Sequence, residues 1–137
     1  MSQHKTLTFA FMDPPFESDR TITFFRLLDA ALDRGVNVRV FAYEGAVALA
    51  FARQQPHGNA VHGRDTEEED HPLTKDWIRT LQDKAKHRSL SFEWINCGLC
   101  VDERGVNDVI EDCGRGGPPD LWRYASDAFN TLTIGTR

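Results

Sequence analysis

Residues 6–12 (Thr-Leu-Thr-Phe-Ala-Phe-Met) alternate and then run continuously apolar, the pattern of a strand covered on both faces. Such a strand needs a layer of helix above and below it, which points the chain toward α/β architectures. The next residues agree. Asp13-Pro14-Pro15-Phe16 breaks the run, and a helix is expected from about Ser18, with Ile22, Phe25, Leu28 and Leu32 as its stripe and Gly35 as its stop. Residues 36–42 read as a second strand, and helix followed by strand at this spacing fits a right-handed βαβ crossover.

Strand and helix then keep alternating. Residues 45–54, with five small side chains, read as a helix able to pack closely on a neighbour, another subunit included. Residues 55–70 carry Pro56, Gly58, Gly63 and the run Glu67-Glu68-Glu69-Asp70, and read as a polar loop that is either mobile or functional. Asp70 or His71 is expected to open a helix behind Pro72, on which Leu73, Trp77, Leu81 and Ala85 share a face. Residues 90–95 form a third strand that runs into the Cys97 turn and a short helix ending near Gly105. Residues 106–110 fit a short strand or a helical turn, 114–119 a loop, 119–128 a helix and 129–134 the last strand. The expected fold is one domain over residues 1–137, a three-layer α/β/α sandwich on a mostly parallel sheet of about five strands. Ligands and catalytic groups in such sheets collect beyond the carboxyl ends of strands, where Cys97 falls.

Composition narrows the function. A chain of 137 residues with 40% hydrophobic content has the size of one ordinary core. The net charge of -5, with no block of Lys or Arg, argues against nucleic acid as a partner. No apolar run reaches membrane-spanning length. The first residues lack the apolar core and cleavage site of a secretory signal, so a cytoplasmic location is expected. Three cysteines, an odd number, argue against a disulfide framework and leave catalytic, metal-binding or buried thiols. No cofactor is indicated, since Gly114-Arg115-Gly116-Gly117 lacks the Lys and Ser/Thr of a phosphate-binding loop.

The stretch richest in chemistry is Cys97-Gly98-Leu99-Cys100. A cysteine where strand gives way to helix meets unpaired N–H groups that stabilise its thiolate, the nucleophilic form. On a helix Cys97 and Cys100 lie one turn apart on one face, with Cys97 expected to be the more acidic. Asn96 is the expected N-cap, and Gly98 leaves room for another molecule's backbone or sulfur. The pair fits a persulfide on Cys97 that Cys100 resolves, a dithiol–disulfide couple, or two metal ligands joined by Cys113 and one of His57, His62 or His71. Simple packing stands against all three, because free cysteine is among the most buried residue types. Cys113 is a possible additional thiol if the following loop folds over the site, and otherwise a packing residue. Arg104 either pairs locally or lowers a thiol pKa. The histidines and the acidic run read as solvated surface, the latter also as a dock for a basic carrier protein.

Three stretches resemble one family. Residues 97–106 have its cysteine, short helix and Arg-Gly-Val, here Arg104-Gly105-Val106. Residues 41–47 (Phe-Ala-Tyr-Glu-Gly-Ala-Val) match its strand-end segment of an aromatic residue, polar residues, Gly and Val. The closing order of Gly-rich loop, helix and strand matches as well. Together they resemble the DsrE/TusD-like sulfur-relay family (DsrE/DsrF-like), with departures at Leu99 and Cys100 and in the long acidic loop. The resemblance implies a homo-oligomer (trimer or hexamer) or a hetero-oligomer. It also implies that Cys97 accepts sulfane sulfur from a donor protein or small persulfide and hands it to a small TusA-like carrier or a rhodanese-type protein. The function expected is that of a cytoplasmic persulfide sulfurtransferase, with Cys100 as resolving thiol and Asn96, Gly98 and Arg104 in support. A non-catalytic redox-sensing or metal-binding module, or a structural subunit of a sulfur-relay complex, is the alternative.

Overall fold

In the computed structural model, which describes residues 4–135, five strands lie parallel in the order β4-β3-β2-β1-β5. They are β1 (Thr6–Phe11), β2 (Asn37–Ala42), β3 (Phe92–Cys97), β4 (Cys113–Gly116) and β5 (Asn130–Ile134). From β1 the chain steps outward through β2 and β3 to β4, then crosses back to lay β5 along the far side of β1. The helices are α1 (Asp19–Asp33), α2 (Thr66–Glu69), α3 (Thr74–His87), α4 (Gly98–Arg104) and α5 (Pro118–Asp127). This is the expected α/β sandwich in a single domain.

The main core lies between the sheet and the α1–α3 layer. Phe9, Phe11, Val38, Val40 and Trp94 meet Phe24, Phe25 and Leu28 of α1 and Ile78 and Leu81 of α3. Phe24 stacks on Phe11 at 4.1 Å and meets Trp94 edge-on at 6.0 Å. The α1 stripe therefore starts from Phe24 rather than Ile22, which is 43% exposed. Positions 21, 24, 25, 28, 31 and 32 follow the 3.6-residue period, and 22 falls to one side of it. The helix starts where the sequence suggests, and Ser18 caps it by accepting from the Arg20 N–H at 3.2 Å. Lys84 ties α3 to α1, reaching Asp29 and Asp33 at 2.6 Å each. On the opposite face α5 buries Tyr124, whose carbonyl accepts from the Thr8 hydroxyl at 2.8 Å.

Four segments depart from expectation. Residues 45–54 do not make an α-helix: a 3-10 turn spans Glu44–Ala50. The Gln54 amide donates to the carbonyls of Ala48 and Leu49 at 2.9 and 3.1 Å, taking acceptors that a continuing helix would use. The close packing expected of its small residues does occur within the chain: Ala46, Val47, Leu49 and Ala50 are fully buried. Cys113 and residues 114–116, the latter read as the start of a loop, form the edge strand β4, because glycine-rich composition masks strand character. Strand β3 starts later than expected and ends on Cys97 itself. Residues 106–110 run irregularly, with Val109 bridging Phe51.

The polar loop is built from local hydrogen bonds. A 3-10 turn covers Ala60–His62, Asn59 bridges Arg64, and α2 follows. Helix α3 is entered from Leu73, not from Asp70 or His71, since Asp70 closes α2 in a left-handed conformation (φ 43°) and His71 turns back to Glu69 at 2.8 Å.

Candidate functional site

Cys97 closes β3 and is the N-cap of α4, with φ -61° and ψ 120°. In the sheet it lies beside Gly116 of β4, one position beyond the Ala42–Asn96 pair at the end of β2. The strand–helix junction read from the sequence is therefore present, and Gly105 (φ 67°) ends α4 as expected. Cys97 and Cys100 are half-buried and free, and they lie near each other. Leu99 between them is 75% exposed.

The polar surroundings of the two thiols come from three elements. The N–H of Glu44 donates to the Cys100 Sγ at 3.2 Å, from a residue held at φ 53°. A non-glycine residue in that left-handed region stores strain, a feature that gathers at functional sites. Arg104 pairs with the Glu44 carboxylate at 3.4 Å and donates to the Cys100 carbonyl at 3.4 Å. Burial, followed by the neighbouring Cys97, raises the pKa of the Cys100 thiol, while the Glu44 N–H and Arg104 oppose that rise. The two roles weighed for Arg104 are thus both present, the second acting on Cys100.

Two of the sequence-predicted supporting residues serve other purposes. Asn96 is not the N-cap; one residue earlier and buried, it accepts from the Trp94 indole N–H at 2.9 Å and donates to the Val47 carbonyl at 3.4 Å. The space at Gly98 is taken by this chain's own Arg115, whose Nε lies 2.8 Å from where a Cβ would stand. Arg115 then reaches Asp102 with both terminal nitrogens, at 3.0 and 2.5 Å, and holds that carboxyl below its usual range.

Neither Arg115 nor the Glu44 N–H is evident as a functional group from sequence. Their only signals are the glycines that admit them or flank them: Gly98 opposite Arg115, and Gly114 and Gly116 on either side of it.

Cys113 does not join the site. It pairs with Trp94, three positions before the Cys97–Gly116 pair, which is about 10 Å along the strands. Its thiol faces the Gln82 amide at 3.9 Å, and burial, with a smaller push from Asp112, raises its pKa to about 12. Nor do the histidines approach the cysteines as ligands. His71 engages Glu69, the His57 and His71 rings are 5.7 Å apart, and His62 contacts Asn59. Among the described residues no group of three or more His, Cys, Asp or Glu side chains gathers to hold a metal, and no helix is long and apolar enough to cross a membrane.

The family model for the DsrE/DsrF-like family matches residues 5–134, nearly the whole chain, site included. The chain belongs to the DsrE/DsrF-like family. Solved structures extend the likeness to the fold. The ychN protein of E. coli has a TM-score of 0.69 at 18% identity, covering 96% of this chain and 100% of that one. A protein of unknown function from Methanobacterium thermoautotrophicum, MTH1491, gives 0.66 at 10% identity with the same coverage. BT1422 from Bacteroides thetaiotaomicron, also of unknown function, gives 0.57 at 12% identity with 95% of each chain covered. At these identities the likeness is one of architecture: a DsrE/DsrF-like sandwich. No curated protein sequence matches the chain.

Proposed function

We propose that this DsrE/DsrF-like protein is a persulfide sulfurtransferase in which Cys97 receives sulfane sulfur and passes it to a partner thiol. The observation that carries this reading is the position of Cys97: half-exposed, at the carboxyl end of β3, beside a second thiol. A sulfur nucleophile needs access and polar neighbours that tolerate its anion.

In the first step the Cys97 thiolate attacks the outer sulfur of a donor R–S–SH. The donor S–S bond breaks, R–S⁻ departs, and Cys97 becomes a persulfide. In the second step an acceptor thiolate attacks that outer sulfur, the Cys97 S–S bond breaks, and the Cys97 thiolate returns. Exposed Leu99 offers an apolar contact to the visiting chain beside the reacting sulfur. The donor is a protein or small-molecule persulfide, the acceptor a small carrier or rhodanese-type protein.

Cys100 adds a second exit. Once it loses its proton, its thiolate attacks the Cys97 sulfur and expels the outer sulfur as hydrosulfide, leaving a Cys97–Cys100 disulfide. The sulfane sulfur is reduced, the two thiols are oxidised, and an external dithiol is needed to reset the pair. The raised pKa of Cys100 favours the first exit, because little of it is thiolate at neutral pH. Assembly with further copies belongs to the same reading: Phe129, just before the edge strand β5, and Trp122 of α5 are exposed.

The test is to load wild type, Cys97→Ser and Cys100→Ser with glutathione persulfide and follow the protein-bound sulfur and the hydrosulfide released. Wild type and Cys100→Ser are expected to gain one sulfur, with hydrosulfide release confined to wild type. Equal loading of Cys97→Ser would refute the assignment.

A further inference from the structure

Gly98 is buried in the first turn of α4, and its φ is not positive. Nothing in its backbone conformation calls for glycine, and inside a helix glycine costs about 1 kcal/mol relative to alanine. What the missing side chain provides is space. The Nε, Cγ and Cζ of Arg115 lie 2.8, 3.3 and 3.3 Å from the position a Cβ would occupy, so the side chain is laid flat against the Gly98 α-carbon. Asp102, one turn further along the same helix face, takes both terminal nitrogens. That ion pair is about half-exposed on each side, and pairs of this kind add little stability. Its effect is to fix where the guanidinium sits.

The place it sits is against Gly98, the residue that follows Cys97. Arg115 is paired in the sheet with Asn96 and is followed by Gly116, the partner of Cys97. Other charged groups nearby have partners, as Arg115 does in Asp102. Arg104 is paired with Glu44, and Asp120 accepts from the Gly117 N–H at 2.9 Å and from Arg123 at 3.4 Å. Cys100, the remaining titratable neighbour, receives the Glu44 N–H. We propose that Arg115, seated on Gly98 and latched by Asp102, is the electrostatic partner of the sulfur anion on Cys97, whether thiolate or persulfide. Asp102 is the main group that helps hold the proton of Arg115, and a negative charge on Cys97 adds the smallest share.

This inference deepens the sulfur-acceptor reading by naming the group that favours an anionic sulfur, but its test does not need sulfur transfer. The full-length protein is alkylated with iodoacetamide across a range of pH, and the Cys97 peptide is quantified by mass spectrometry. Arg115→Gln is expected to slow Cys97 alkylation at neutral pH by roughly three- to tenfold and to move the profile to higher pH. Gly98→Ala, which keeps the arginine but unseats it, is expected to shift the profile the same way. Arg115→Lys should retain part of the effect, and Arg53→Gln, remote and paired with Asp108, should match wild type. Circular dichroism verifies folding of each variant. If folded Arg115→Gln and Gly98→Ala both superimpose on wild type, the proposal is overturned, even if Cys97 still takes up sulfur. If the profiles shift but wild type takes up no persulfide, Arg115 keeps its role and the sulfur-acceptor reading falls.

Discussion

At the carboxyl end of β3, Cys97 and Cys100 are half-buried among a backbone N–H and two guanidinium groups. At the amino end of β4, Cys113 is packed beside Gln82 with its pKa pushed up to about 12. Both regions belong to one pair of neighbouring parallel strands. The difference lies in how far along the strands each thiol sits: Cys97 ends β3, whereas Cys113 is level with Trp94 inside the sheet. Parallel strands send their helices and loops past the carboxyl ends, so charged and strained groups from three elements converge there. The start of β4 is covered by α3, whose Gln82 amide faces the Cys113 thiol. The surroundings of the thiols thus differ with their position along the strands.

The largest effect expected from this contrast is kinetic. At pH 8 the Cys113 thiolate fraction should lie roughly a thousandfold below that of an ordinary cysteine, and burial slows it further. Time-resolved alkylation with peptide mapping should find Cys113 unmodified until the protein is unfolded. Labelling of Cys113 in step with Cys97 in the folded protein would erase the contrast.

A smaller effect should appear in stability at alkaline pH. The Cys113 thiol has the ordinary value of 9.0 when unfolded, and burial pushes it up to about 12 when folded. Below pH 9 it is protonated in both states and contributes nothing to the slope. Between 9 and 12 the unfolded chain loses its proton first, so stability falls with rising pH, by up to a few kcal/mol. Tyr124, raised from 10.0 to about 12 mainly by burial, adds a loss of the same sign from pH 10. Urea denaturation of Cys113→Ala should therefore show a shallower alkaline decline than wild type, with the Tyr124 part remaining.

The β3 end also has a purely structural member. Asn96→Leu should cost about 1–3 kcal/mol in urea unfolding by leaving the Trp94 N–H and the Val47 carbonyl without their partner. The smallest effect belongs to Arg104→Gln. Its pair with Glu44 is exposed enough that stability should change by less than about 1 kcal/mol. Cys100 alkylation should slow modestly, because Arg104 is one of the groups lowering that thiol's pKa.

The sequence made the parts governed by local rules legible. The apolar run of β1, the helix start near Ser18, the Gly105 stop and Cys97 at a strand–helix junction all follow from neighbours in the chain. Features decided by distant partners were not. Strand β4 is hidden because Gly114 and Gly116 carry no strand propensity. Gly116 in fact has no room for a side chain, since the Asp120 carboxylate and the Ile95 side chain crowd the would-be Cβ. The 3-10 turn depends on the Gln54 side chain, and Asn96 is drawn from a capping role into the core by Trp94 and Val47. Arg115 reaches Gly98 and Asp102 from 13 or more positions away, across a strand that the pattern concealed.

The most direct measurement exposes the folded protein briefly to isotopically labelled polysulfide, quenches with an alkylating agent, and quantifies sulfur on all three cysteine peptides at once. Labelled sulfur should appear first and mainly on Cys97, with Cys113 unloaded. Loading of Cys113 as fast as Cys97, or no label on Cys97 at any time, would show that the end of β3 is not where this protein handles sulfur.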